Sequence, residues 1–209
     1  MRKINKCGEP QKLTAWKRGN PSGRYADLQE PERQAIRTHC ASEQMYLCAY
    51  CCKTINGDST DTVNEHVEPR SVAPNKELDI NNIVASCSTK GQCDDSHKAK
   101  IIPLTPLMSA CENELRFSVS GRVEGLTDRA KSSIAILNLG GHERDNKKLV
   151  EMRKQLINSL LFQNGVDPSQ GLEDKELLEM VINDIEKPES GRLQPFAPIV
   201  RNILEQWIS

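Results

Sequence analysis

The chain has 209 residues, 28 basic against 29 acidic, a formal net charge of −1, and only 4% aromatic residues. That length can bury one core or a little more. The near-neutral charge excludes a generic polyanion coat, and the shortage of aromatic residues excludes a broad base-stacking platform, so any nucleic acid must be held locally or with a partner's help. No apolar run reaches the roughly 18 residues of a membrane span, and Met1-Arg2-Lys3-Ile4-Asn5-Lys6 lacks the apolar stretch of a signal peptide. A cytoplasmic protein without membrane contact is expected. In a reducing compartment its eight cysteines read as thiolate ligands or buried thiols.

Residues 1–27 are basic and rich in turn formers, with Gly19-Asn20-Pro21-Ser22-Gly23 near their end and Leu13 and Trp16 at helical spacing. The reading is an extended arm packed through Trp16; the functional alternative is a basic arm touching phosphates. Residues 28–45 suit a helix. Pro31 fits its first turn, Glu30 and Glu32 sit where the helix dipole favours acids, and Ala35 and Ile36 begin an apolar stripe. His39 and Cys40 diverge as helical neighbours and read as core or surface residues.

Cys48-x2-Cys51 is a knuckle, two sulfurs on one tight turn. Cys87 and Cys93 follow, separated by Ser-Thr-Lys-Gly-Gln. Four thiolates make a closed tetrahedral zinc site with a structural role. The second pair is spaced more widely than usual, but a loop containing a glycine can still bring both sulfurs to one ion. Cys52 and His97 are the rival ligands. Cys7, Cys40 and Cys111 have no partner spacing.

Interleaved with the cysteines is a second set. Cutting a phosphodiester needs a base for water, a cation for the developing charge, and a frame for both. Glu65-His66 at a strand end supplies the first two from diverging neighbours, Glu toward a metal and His toward water. Asn82 precedes Ile83-Val84-Ala85 and can hold the histidine's loop through its amide. His97 lies one helical turn after Cys93 and can reach the same cleft as a second ligand. The ion would be Mg²⁺ or Mn²⁺, its shell completed by water and phosphate.

Further on, residues 101–110 read as a connector. Leu115, Phe117, Val119 and Val123 alternate about Ser120-Gly121, a β-hairpin. Thr127 caps a helix through Leu137, ended at Gly140-Gly141. Helices are expected from about 142 to 162, 172 to 186 and 197 to 208, with Pro188-Glu189-Ser190-Gly191 as a linker. Three parts result: an arm and helix over 1–45, a zinc-bearing core over 46–110, and a hairpin with a helical subdomain over 111–209. The fold class is α+β.

The ordered pattern CxxC, EHxxP, NxxxxC, Cx3H resembles HNH endonucleases of the zinc-knuckle type, the ββα-metal fold. That resemblance implies His66 as general base, Glu65 and His97 on the catalytic cation, and Asn82 as the structural asparagine. Many members carry Cys-Asn where this chain has Cys93-Asp94, so Asp94 or Asp95 could add an oxygen ligand. The Met-Arg-Lys-Ile opening with Pro10, Leu13 and Trp16, the Asn-Ile-Val-Ala-Ser-Cys run, and Ile-Ala-Ile-Leu-Asn-Leu-Gly with Arg153 are similar to the PtuB family. Such proteins are nuclease subunits of Septu anti-phage systems, some of them retron-linked. The resemblance implies a PtuA-like ABC ATPase partner docked on the helical part, or a retron reverse transcriptase with its DNA. DNA is the expected substrate. The alternatives are an RNase acting on RNA such as tRNA and a zinc-stapled adaptor that cuts nothing.

Overall fold

The computed structural model describes residues 1–163, 165 and 174–208. Where an extended arm was expected, the chain forms helix α1, Gln11–Gly19, with Leu13 buried. Trp16 packs against the core as anticipated, its indole ring lying over Gly23, where a Cβ would meet it at 2.4 Å. The correction has a simple cause. Pro10 stands at the N-cap position, and nothing in Gln11–Gly19 before its closing glycine breaks the helical period. The cations of this segment are largely tied to the protein itself. Lys6 Nζ reaches Glu43 at 2.6 Å and the Ile83 carbonyl at 2.9 Å, Lys17 pairs with Glu9, and Arg24 pairs with Glu77 at 2.8 Å. That favours a structural arm over one laid along phosphates.

Helix α2, Glu30–Glu43, starts with Pro31 in its first turn and a capping box in which the Glu32 carboxylate accepts from the Gln29 N–H at 3.1 Å. Its buried face, with Ile36, Cys40 and Ala41, packs across strands β1, Thr62–His66, and β2, Ile83–Cys87. The two strands pair antiparallel, Thr62 opposite Cys87 and His66 opposite Ile83. After β2 the chain loops into a single helical turn, α3, Asp94–His97.

The C-terminal part begins with the expected hairpin, β3, Leu115–Phe117, against β4, Val123–Gly125. Val119, placed in the first strand by alternation, belongs to the turn that follows it. Helix α4, Asp128–Leu137, is capped by the Thr127 hydroxyl, which accepts from the Ala130 N–H at 3.3 Å. It ends at Asn138 in the left-handed region (φ 50°), before the two glycines that were expected to break it. Helix α5, Lys147–Gln163, starts five residues later than anticipated. The Asn146 side-chain oxygen accepts from the Leu149 N–H at 3.2 Å and sets that start. Helix α6, Lys175–Ile185, is capped by Asp174; its expected first residues, 172 and 173, lie outside the described residues. Helix α7, Ala197–Ile208, covers the open edge of β3 with side chains. The Phe117 N–H donates to Asn202 Oδ1 at 2.9 Å, and Gln206 Nε2 donates to the Phe117 carbonyl at 3.0 Å.

One apolar core runs from Met1 and Ile4 through the knuckle to Ile203 and Leu204. The largest fully buried side chain in it is charged. Arg153 of α5 donates Nη1 to the Gly121 carbonyl at 2.7 Å and the Leu139 carbonyl at 3.3 Å, and its guanidinium lies 5.1 Å from the Phe117 ring centre and 5.9 Å from that of Phe196. Replacing Arg153 by alanine leaves two carbonyls without this donor and opens a void between two phenyl rings. The expected loss is roughly 2–4 kcal/mol, checked by urea unfolding of Arg153→Ala against the wild type.

Candidate active site and metal centre

The thiolate set is assembled from three places. Cys48 and Cys51 sit on a turn closed by Cys52 in the left-handed region (φ 60°), with the Cys52 N–H donating to the Cys48 carbonyl at 3.1 Å. Cys87 ends β2. Cys93 returns from the intervening loop because Gly91 (φ 75°) and Cys93 itself (φ 52°) take left-handed backbone and double the chain back. That resolves the wide spacing of the second pair. All four sulfurs are buried and within 4.8 Å of one another, with Cys48 and Cys93 at 3.8 Å and Cys51 and Cys87 at 3.9 Å. A tetrahedron of sulfurs about 2.3 Å from zinc sets them about 3.8 Å apart, so the cluster fits a metal ion such as zinc. Among the described residues no other set of three or more such side chains meets this closeness, and the rivals Cys52 and His97 stand outside it.

Donors surround the sulfurs. Gln92 Nε2 lies 3.5 Å from Cys87 Sγ and 3.7 Å from Cys51 Sγ, and the Cys87 N–H donates to Cys48 Sγ at 3.3 Å. Gln92 Oε1 in turn accepts from Asn146 Nδ2 at 2.9 Å, linking the cluster to the start of α5. Electrostatics point the same way. Hydrogen bonds from the neighbouring thiols pull the Cys87 pKa far down, while burial and those same neighbours push Cys93 up. Four buried sulfurs cannot all be thiolates without a cation among them.

The second set flanks this cluster. Glu65 and His66 leave β1 in different directions. The His66 ring is 7% exposed. Its Nε2 lies 2.9 Å from the Glu77 carbonyl, which can only accept, so Nε2 carries the proton and Nδ1 keeps a lone pair. Tyr25, from the segment after α1, stands edge-on to the ring at 4.6 Å. Burial pushes the His66 pKa down, favouring the neutral imidazole that a base requires.

Glu65 faces inward. Its Oε1 accepts from the Tyr50 hydroxyl at 3.1 Å and meets His97 Nδ1 in a short contact. His97 is fully buried, and its Nε2 donates to the Lys100 carbonyl at 2.5 Å. The same tautomer logic applies: with Nε2 protonated, the neutral ring presents a lone pair at Nδ1 to a carboxylate oxygen. Two acceptors in contact need a proton between them, and a metal ion bound by both would displace it. Burial drives the His97 pKa down and the Glu65 pKa up. Asp94 completes the group. Burial and a hydrogen bond with Glu65 push its pKa up to about 8, and its charge also acts on His97 and His66. Asp95 is turned elsewhere, accepting from the Gly91 N–H at 2.7 Å.

Asn82, 4% exposed, holds the loop between the strands. Its Oδ1 accepts from the Glu68 N–H at 2.8 Å, and its Nδ2 donates to the Glu68 carbonyl at 3.0 Å. Three contributors escaped the sequence reading. Tyr50 sits inside the CxxC turn and Gln92 beside Cys93, so adjacency was an available signal for both. Tyr25 reaches His66 only through tertiary contact, and nothing local marks it.

No family model matches the chain. Over 96 residues it is 30% identical to a protein of retron Ec83 from Escherichia coli, named there by inference as an HNH endonuclease. The match covers 42% of this chain and 37% of that relative, so the chain spans well under half the length of the protein it resembles. This partial likeness supports a nuclease of the HNH type. Metal analysis of the purified protein is expected to find one zinc per chain, bound through the four sulfurs. Cys87→Ser should lose it and unfold at markedly lower temperature, because binding free energy at a structural zinc is also folding free energy.

Proposed function

We propose that the chain is a metal-dependent HNH nuclease that hydrolyses phosphodiester bonds of DNA, working in the cytoplasm as the cutting subunit of a PtuB-like anti-phage assembly. The observation that carries this reading is the opposition of Glu65 Oε1 and His97 Nδ1, with the histidine tautomer fixed by Lys100. A zinc staple by itself gives no reason to bury a carboxylate against an imidazole beside it.

In this reading Glu65 and His97, joined by Asp94, hold a divalent cation, Mg²⁺ or Mn²⁺. When bound, the ion supplies positive charge to the phosphorane-like transition state and the leaving oxygen. His66 Nδ1 takes the proton from the attacking water. Its Nε2–H, donated to the Glu77 carbonyl, keeps the ring oriented and disperses the charge it gains. Asn82 fixes the loop whose Glu77 carbonyl receives that hydrogen bond. The four cysteines, on a structural zinc, hold β2 and α3 so that Asp94 and His97 meet Glu65. The near-neutral charge supports a subunit that relies on a partner to present its substrate. The helical part after residue 127 would dock that partner, a PtuA-like ABC ATPase or a retron reverse transcriptase with its DNA.

The test is cleavage of labelled phage DNA, and separately of total RNA, with Mn²⁺ and with the neighbouring gene product present. Histidine 66 replaced by alanine should cut about 10²–10⁴-fold more slowly while zinc content and far-UV circular dichroism stay unchanged. A His66→Ala protein that cuts as fast as the wild type ends the assignment of this base. Cleavage confined to RNA would transfer the reading to an RNase.

A further inference from the structure

The mechanism leaves one cation beside His66 without a role. Arg70 lies in the loop after β1, four residues beyond the histidine, and is exposed. Its guanidinium carbon is 5.1 Å from the centre of the Tyr25 ring, the same ring that stands edge-on to His66 at 4.6 Å. The other cations in this neighbourhood are engaged. Arg33, 5.5 Å from the Tyr25 ring centre, donates Nε to the Leu28 carbonyl at 2.9 Å and Nη2 to the Ala26 carbonyl at 3.1 Å. Arg24 pairs with Glu77, and Lys76 pairs with Glu68. Among the described residues Arg70 makes neither a hydrogen bond nor an ion pair within the chain. Its charge is nonetheless close enough to His66 to disfavour the protonated ring.

A guanidinium laid over an aromatic ring is restrained while its planar fork of donors stays open. The ring is itself 8% exposed and anchored in the core. That fork matches the two non-bridging oxygens of a phosphate, which a lysine ammonium cannot grip in the same way. We propose that Arg70, held on Tyr25, is a substrate-binding residue that grips a backbone phosphate of the nucleic-acid strand next to His66. The assignment rests on the nuclease reading above, but its test does not need cleavage.

Binding of a short fluorescein-labelled DNA duplex, and of a labelled RNA strand, is followed by anisotropy across a sodium chloride series with the neighbouring gene product present. The proteins compared are His66→Ala alone and His66→Ala combined with Arg70→Ala or Arg70→Lys. Arg70→Ala should weaken binding about 10- to 100-fold, as loss of a charged hydrogen bond does, and reduce the slope of log K against log salt by about 0.9 on duplex DNA or about 0.7 on a single strand. Arg70→Lys should keep that slope but lose affinity. Thermal midpoint and zinc content should not move, since the side chain is exposed. Unchanged affinity and slope for Arg70→Ala overturn the assignment of Arg70 alone. Normal Arg70-dependent binding with no cleavage by the otherwise wild-type protein sinks the nuclease reading and leaves the phosphate grip standing. No salt-dependent binding by any of the proteins overturns both.

Discussion

Four buried sulfurs within 4.8 Å of one another are the constraint on which the rest of this structure turns. They join a turn near the end of α2, the last residue of β2 and the residue before α3. β1 and β2 form a sheet of only two strands, and such a ribbon is marginal in water without packing or a staple. Here α2 covers the ribbon and the sulfur cluster fastens one end of it. A turn as short as Asp94–His97 likewise has no stability of its own. It persists because Cys93 anchors its start and because the Cys93 N–H donates to the Leu137 carbonyl of α4 at 2.9 Å.

That fastening has a chemical consequence. Asp94 follows a cluster cysteine directly, and His97 follows one turn later, so both are delivered to Glu65 by the same clamp. The histidine is then locked from behind by a backbone carbonyl, the arrangement that orients metal-binding imidazoles and fixes their tautomer. His66 is locked in the same way by Glu77. Both imidazoles have Nε2 tied to a carbonyl and Nδ1 left as acceptor, and an ionised Asp94 raises the pKa of each.

The C-terminal helices take part in this frame beyond enclosing the core. Asn146, at the start of α5, supports Gln92 and through it the sulfurs. The Phe196 N–H, just before α7, donates to the Cys52 carbonyl at 2.9 Å. Arg153 carries a charge into the shared core, where backbone carbonyls and two aromatic rings receive it. The thiolate region and the helices are therefore mechanically continuous.

Much of this was legible in the residues themselves. The two cysteine pairs, Glu65-His66, Asn82 and His97 are local patterns with fixed chemistry. The hairpin about Gly121, the Thr127 cap and the last helix follow from period and capping, because neighbouring residues alone decide them. Other features depended on contacts across the chain. The wide Cys87–Cys93 loop closes only because Gly91 and Cys93 adopt left-handed backbone, and α5 starts late because Asn146 both caps it and holds Gln92. Which imidazole nitrogen carries the proton was set by the carbonyls of Glu77 and Lys100, and the approach of Tyr25 and Arg70 to His66 by packing between segments far apart in sequence. Spacing can propose which side chains share a site, but orientation and protonation are properties of the assembled surroundings, and only the folded chain supplies those.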